Sequence, residues 1–215
     1  MPDVLSLFRG LPPRERFHVR ARDFSAPLAA VADRVPAGRI ADIGCGHGLL
    51  VAWLAVARPD RKVIGVDPDE RKISWAKQAL GALPNVELRV ARVEELSPEL
   101  DGALDAVVVA DVVYLLPVPA WGDFFSACRR LLKPGGRFLL KEVEARASWK
   151  YLKILAQENV MVRLLRRTRS SGGLNLRPRA FTEALLRERG FIVEQTVDLA
   201  RGYSTPHVLF NARVA

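Results

Sequence analysis

Between Arg39 and Val143 short apolar runs alternate with longer helical stretches. The runs Ile40–Ile43, Val63–Val66, Val86–Val90, Ala106–Ala110 and Phe138–Leu140 are too short for independent helices. They are also too uniformly apolar for strands with one wet face, so they read as strands of a buried parallel sheet. Leu49–Ala57 is apolar and ends before Arg58-Pro59, Pro68–Leu80 opens with acidic residues suited to a helix N-terminus, and Trp121–Leu132 stops at Lys133-Pro134-Gly135-Gly136. Repeated alternation of strand and helix predicts right-handed crossovers and a doubly wound α/β sheet.

After the fifth run the rhythm changes. Ser148 to Arg169 predicts a basic helical insertion, with Leu152, Leu155 and Val162 on one face and Arg163, Arg166, Arg167 and Arg169 crowding its end. Ser170-Ser171-Gly172-Gly173 makes a joint, Pro178 to Arg189 a helix ending at Gly190, and two apolar strands follow, Phe191–Leu199 and Pro206–Val214. The expected organisation is an N-terminal helical extension or lid over 1–38 and one domain over 39–215, with an insertion at about 145–175.

The stretch Ile40-Ala41-Asp42-Ile43-Gly44-Cys45-Gly46-His47-Gly48 carries the most chemistry. A strand running into D-x-G-x-G-x-G must turn sharply into a helix, and glycines there let a ligand approach the backbone. A dinucleotide-binding loop requires G-x-G-x-x-G, and Leu49 stands where its third glycine belongs. Asp42 would repel a pyrophosphate but suits a ligand with an ammonium group. Asp67, closing Val63-Ile64-Gly65-Val66-Asp67, is placed to accept both hydroxyls of a ribose, a device shared with NAD enzymes; Asp69 competes with it as the cap of the next helix.

Taken in order, Asp42–Gly48, Asp67, Asp111-Val112-Val113-Tyr114 and Leu132-Lys133-Pro134-Gly135-Gly136-Arg137 resemble the successive motifs of class I S-adenosylmethionine-dependent methyltransferases over residues 38–143. The resemblance implies a Rossmann-like, mostly parallel seven-stranded sheet whose last strand is antiparallel. It implies S-adenosylmethionine as cofactor, bound by Asp42, Gly44, Cys45, Gly46, Asp67, Pro68, Arg92, Val93 and Asp111, with Asp67 on the ribose and Asp111 beneath the methionine portion. Lys72 and Ile73 fall where the family covers the adenine ring. Arg92 departs from the pattern, because relatives often place Asp or Asn there to meet the adenine amino group and an arginine has no acceptor. The Val93 backbone, Glu94 in a shifted register, or packing alone are the alternatives.

Composition narrows the setting. The 215 residues are 49% hydrophobic and 27% charged, the balance of a soluble globular protein. No apolar run approaches the roughly 20 residues that cross a bilayer, and Met1 to Arg22 lacks a secretory pattern, so a cytoplasmic location is expected, with peripheral membrane contact left open. Cys45 and Cys128 have no partner at metal-ligand spacing, and no metal is expected. The net charge of +9 is uneven: residues 41–140 carry twelve Lys/Arg against thirteen Asp/Glu, while residues 141–181 carry ten against three. An anionic partner and a solvated helix face both explain that excess.

Methyl transfer needs placement more than proton chemistry, which leaves the acceptor weakly marked. The segment after the fourth strand lacks the prolines of amino-group methylation and the cysteine of cytosine-carbon methylation. Tyr114 and His207 are the catalytic candidates, since both fall at one rim of the sheet, with His207 a near-neutral base or a structural hydrogen bond. Lys141 and Glu142 are expected to pair with each other or with solvent, His47 to position its turn or line the donor pocket, His18 to enter only through an N-terminal lid, and Trp149 to touch substrate. Three functions follow in order of preference. The first is methylation of a small-molecule, lipid-like or carrier-bound acceptor at oxygen, and the second an RNA methyltransferase using the basic insertion on phosphates. The third is a non-catalytic donor-binding or partner module.

Overall fold

A computed structural model describes residues 3–145 and 174–215, so the expected insertion, with Trp149 and Arg163–Arg169, lies outside the described residues. The sheet has seven strands, β1 (Gly38–Ile43), β2 (Arg61–Asp67), β3 (Val86–Val90), β4 (Leu104–Ala110), β5 (Leu132–Val143), β6 (Phe191–Asp198) and β7 (His207–Val214). Their spatial order is β3-β2-β1-β4-β5-β7-β6. The first five strands are mutually parallel, and β7 runs antiparallel between β5 and β6. This is the doubly wound α/β architecture with an antiparallel last strand that the motif order implies.

Alternate residues of each central strand feed opposite faces, as the pleat requires. In β5, Phe138 and Leu140 join the core beneath α5 (Trp121–Leu131), whereas Leu139 joins the core beneath α3 (Leu49–Ala57). Residues 3–37 also pack on that second face. A 3-10 turn at Val4–Phe8, α1 (Pro13–Ser25) and α2 (Leu28–Ala32) bury Phe8, Val19 and Val31 there. Arg61 fastens this layer from beneath: its buried guanidinium donates to the carbonyls of Ala32, Val35, Pro36 and Leu54. Several of those oxygens belong to the C-terminal side of α2, where a cation is favoured.

Two connections differ from the sequence expectation. Between β3 and β4 there is no α-helix, only 3-10 turns at Val93–Glu95 and Pro98–Leu100, because Ser97-Pro98 interrupts any longer ladder. β5 begins six residues before Phe138: Leu132 pairs with Leu104 and Arg137 with Ala106, so Lys133–Gly136 forms a bulge with Gly135 at φ 72°. The remaining helices are α4 (Glu70–Leu80) and α6 (Arg179–Glu188). Among the described residues no helix is long and apolar enough to cross a membrane.

Candidate functional site

The parallel strands present their C-terminal ends to one rim, where an open α/β sheet places its ligands. Asp42 is two residues before the first loop glycine, buried, and its Oδ2 has no partner. Burial pushes its pKa up to about 7, with Arg22 pulling down and Asp67 pushing further up. A buried acceptor left open at this point is the complement of a ligand donor.

Backbone geometry builds the adjoining loop. Gly44 and Cys45 donate their N–H groups to the Val66 carbonyl at 2.7 and 3.0 Å, drawing the loop over β2. Gly44 has φ 79°, and a Cβ there would lie 2.4 Å from Val112 Cγ2, so both conformation and space demand glycine. Gly46, at φ 57°, is open instead: among the described residues a Cβ there would meet only Lys72 Cδ, at 3.9 Å. The Gly46 N–H donates to Asp67 Oδ2 at 2.9 Å and the Asp69 N–H to Asp67 Oδ1 at 2.8 Å. Each oxygen keeps lone pairs for a diol. Asp69 accepts from the Arg71 and Lys72 N–H groups, so the helix cap is Asp69 and Asp67 is released from that task.

Pro68 and Arg92 are exposed beside this loop, and Val93 is buried. The Arg92 N–H donates to Glu95 at 3.0 Å, which closes a short turn. Cys45 is half-buried, and burial pushes its thiol well above the usual range, which leaves it a neutral thiol.

A second cluster occupies the tips of β4 and β5. Asp111 holds φ 59°, a left-handed conformation unusual for a non-glycine residue, and its N–H donates to the Lys141 carbonyl at 2.9 Å. The Lys141 ammonium contacts both Asp111 oxygens, at 2.6 and 2.5 Å, and Arg22 of α1 reaches Oδ2 at 2.9 Å. Burial pushes the Asp111 pKa up, but the two cations outweigh it and hold the carboxyl below its ordinary value. Glu142 accepts from the N–H groups of Val112, Val113 and Tyr114 at 3.2, 3.1 and 3.4 Å, bracing the turn that carries Tyr114. Burial and the Asp111 charge raise its pKa, against the pull of those donors. Lys141 and Glu142 therefore do not pair with each other, because consecutive strand residues point to opposite faces.

Tyr114 and His207 line a half-open cavity of about 230 Å³ together with Arg22, Asp111, Ala26, Val143, Leu174 and Leu176. Tyr114 interacts electrostatically with the Arg22 guanidinium, whose pKa, against burial, Asp111 and Tyr114 help to raise. His207 Nε2 donates to the Ser25 carbonyl at 2.9 Å, which leaves Nδ1 as the bare nitrogen, buried and unpartnered. Burial, reinforced by Lys141, lowers the His207 pKa to about 4, so the ring is neutral near pH 7.

Arg22 is the residue that sequence reasoning missed. Its signal was the spacing Glu15, Val19, Arg22 on α1, which puts all three on one helical face. Val19 is buried, Glu15 meets His47 of the glycine loop at 2.8 Å, and Asp23 accepts from Trp53 Nε1 at 2.8 Å. His47 thus ties the loop to α1, and His18 follows, its ring 5.0 Å from that of His47.

Residues 40–136 match the family model described as a methyltransferase domain. A ubiquinone biosynthesis O-methyltransferase from Dechloromonas aromatica is 32% identical over 124 residues, 57% of this chain and 52% of that protein. A ribosomal RNA small subunit methyltransferase G from Clavibacter michiganensis subsp. michiganensis is 34% identical over 124 residues, 54% of this chain and 55% of that protein. The chain spans about half the length of these curated relatives. The crystal structure of a SAM-dependent methyltransferase from Aquifex aeolicus superposes with a TM-score of 0.67 at 16% identity, covering 100% of both chains, which establishes likeness of fold.

Proposed function

We propose that this chain, a member of the class I S-adenosylmethionine-dependent methyltransferase superfamily, methylates an oxygen of a small-molecule or lipid-like acceptor held between α1 and the tips of β4 and β7. The donor, S-adenosylmethionine, supplies a methyl group already activated on a sulfonium. Four groups fit it. The open Asp42 Oδ2 would accept from its amino group, Arg22 would neutralise its carboxylate, Asp67 would take the ribose hydroxyls, and Gly46 leaves the backbone approachable beneath the Lys72 stem.

The observation that carries the acceptor assignment is the cavity. One side is the Arg22–Asp111 cluster beside the glycine loop, and the other is apolar, with Ala26, Val143, Leu174 and Leu176. Such a bounded site of about 230 Å³ suits a small molecule or the end of an amphiphile better than a polynucleotide. On this reading the bare His207 Nδ1 accepts from the acceptor hydroxyl and orients its oxygen, while Tyr114 positions the acceptor from the Arg22 side. A base with pKa about 4 is weak, so an acidic hydroxyl such as a phenol is favoured over an aliphatic alcohol. The ubiquinone biosynthesis O-methyltransferase relative supports oxygen as the methylated atom.

RNA is the second reading, supported by the ribosomal RNA methyltransferase relative and by the basic composition of residues 141–181. Incubation with methyl-labelled donor and separated cell fractions decides between them. Label in the organic-soluble pool supports the preferred acceptor class, and label in RNA replaces it with the second. Donor binding with no label in any pool assigns a non-catalytic module.

A further inference from the structure

The outward face of α1 has no role in the site just described. Phe17 is 74% exposed and Phe24 87% exposed, and exposed Ala21 lies between them at helical spacing. Arg14 and Arg20 flank this apolar stripe, both exposed and without an ion-pair partner among the described residues. The opposite face holds Val19, Glu15 and Arg22 against the body, so the helix cannot roll to hide its phenylalanines without breaking the Glu15–His47 and Arg22–Asp111 contacts. An apolar strip between unpaired arginines suits a surface that is oily beneath and anionic above. The chain's own residues 146–173 are poor occupants, because they carry seven Lys/Arg against one acid and the rim of the stripe is itself basic.

We propose that α1 docks on an anionic lipid surface, with Phe17 and Phe24 at the boundary between headgroups and acyl chains and Arg14 and Arg20 on lipid phosphates. Arg22, Ser25 and Ala26, at the end of the same helix, line the acceptor cavity. Docking therefore places the helix whose end borders that cavity on the bilayer surface. The proposal goes beyond the catalytic reading and stands on binding alone.

The test is co-sedimentation of the full chain with vesicles of phosphatidylcholine alone and of equimolar phosphatidylcholine and phosphatidylglycerol. Binding to the anionic vesicles and not to the neutral ones is expected. The double variant Phe17→Ser/Phe24→Ser should lose at least about tenfold in partitioning. Arg14→Gln and Arg20→Gln should each lose about fivefold. Unfolding temperature and S-adenosylhomocysteine affinity should match the parent in all of them, since all four side chains are exposed on the outward side of α1. Failure of the parent chain to bind anionic vesicles overturns the proposal, as does binding unaffected by loss of both phenylalanines. Retention of a single-stranded RNA through the same side chains, without vesicle binding, assigns the face to nucleic acid and also overturns it. A dimer that dissociates in the phenylalanine variant while vesicle binding persists makes the face a subunit interface and overturns the proposal equally.

Discussion

The proposed donor side and the proposed acceptor side of this rim are built by different means. From Asp42 to Asp67 the donor side is one βαβ unit, and its shape is set by backbone: positive-φ glycines, N–H groups on the Val66 carbonyl, and a carboxylate held by two N–H donors. The proposed acceptor side gathers Asp111, Tyr114, Lys141 and His207 around Arg22 of α1, with Asp111 held by the charges of Lys141 and Arg22 and His207 by a hydrogen bond to the Ser25 carbonyl. A backbone-built site leaves its open position, Asp42 Oδ2, uncompensated until a ligand arrives. The charge-built site compensates itself, with two cations on the Asp111 carboxylate.

The largest test of that contrast removes the charge cluster's central cation. Lys141→Met leaves a buried carboxylate with one partner where it had two, and breaking a buried pair costs about 3–5 kcal/mol. Urea unfolding should register a loss at the low end of that range, because Arg22 remains. A loss below about 1 kcal/mol would mean the cluster is not what holds the acceptor side together.

The next test uses pH, because the two sides titrate with opposite sign. Asp42 has its folded pKa raised to about 7, so the stability it contributes is present below its ordinary value and lost as pH rises through 7. His207 has its folded pKa lowered to about 4, so stability is lost as pH falls from its ordinary value towards 4. By linkage each is worth at most about 3–4 kcal/mol between pH 4 and 7, and in the parent chain they oppose one another. Against the parent, Asp42→Asn should gain stability progressively as pH rises across this window. His207→Asn should fare best at the acid end. The measurement is stability difference against pH, and parallel curves for parent and variants would sink the assignment. Donor affinity in the parent should rise as pH passes 7, since only ionised Asp42 attracts an ammonium.

A smaller effect isolates the donor side. Asp67→Ala should weaken S-adenosylhomocysteine binding by about 1–3 kcal/mol, the scale of hydrogen bonds to a charged group. Calorimetry on the folded variant checks this, and unchanged affinity would place the ribose elsewhere. Binding of NAD by the parent chain, with none of S-adenosylhomocysteine, would undo the cofactor assignment altogether.

The same contrast explains what could be read in advance. Asp42, Gly44, Gly46 and Asp67 are visible in sequence because their backbone demands restrict residue type at fixed spacing. The strands were visible because both faces of the central sheet are buried. Arg22 was not, since an arginine on an amphipathic helix looks like solvated charge until tertiary packing turns that face inward. His207 was located at the rim, yet its depressed pKa depends on burial and on Lys141, neither of which its own neighbours in sequence announce. The bulge at Lys133–Gly136 hid the true start of β5, because proline and glycine there read as an end of regular structure.

The smallest effect concerns the link between the two sides. Glu15 and Arg22 are two turns apart on one face of α1; one grips His47 in the glycine loop and the other lies on Asp111. Glu15 therefore positions the helix that carries Arg22. The Glu15–His47 pair is partly exposed, so Glu15→Gln should cost no more than about 0.5–1 kcal/mol in stability. Stability alone would not distinguish a positioning role from an ordinary surface contact. A double-mutant cycle read on S-adenosylhomocysteine affinity does. If Glu15 acts by aligning Arg22, Glu15→Gln weakens binding in the parent but has little further effect once Arg22 is glutamine. That gives a coupling of about 0.5 kcal/mol or more, the lower end of interactions between residues of one network. Additive losses would show that the glycine loop and the Arg22–Asp111 cluster are gripped by α1 independently, and the two sides of the rim would then be neighbours without being coupled.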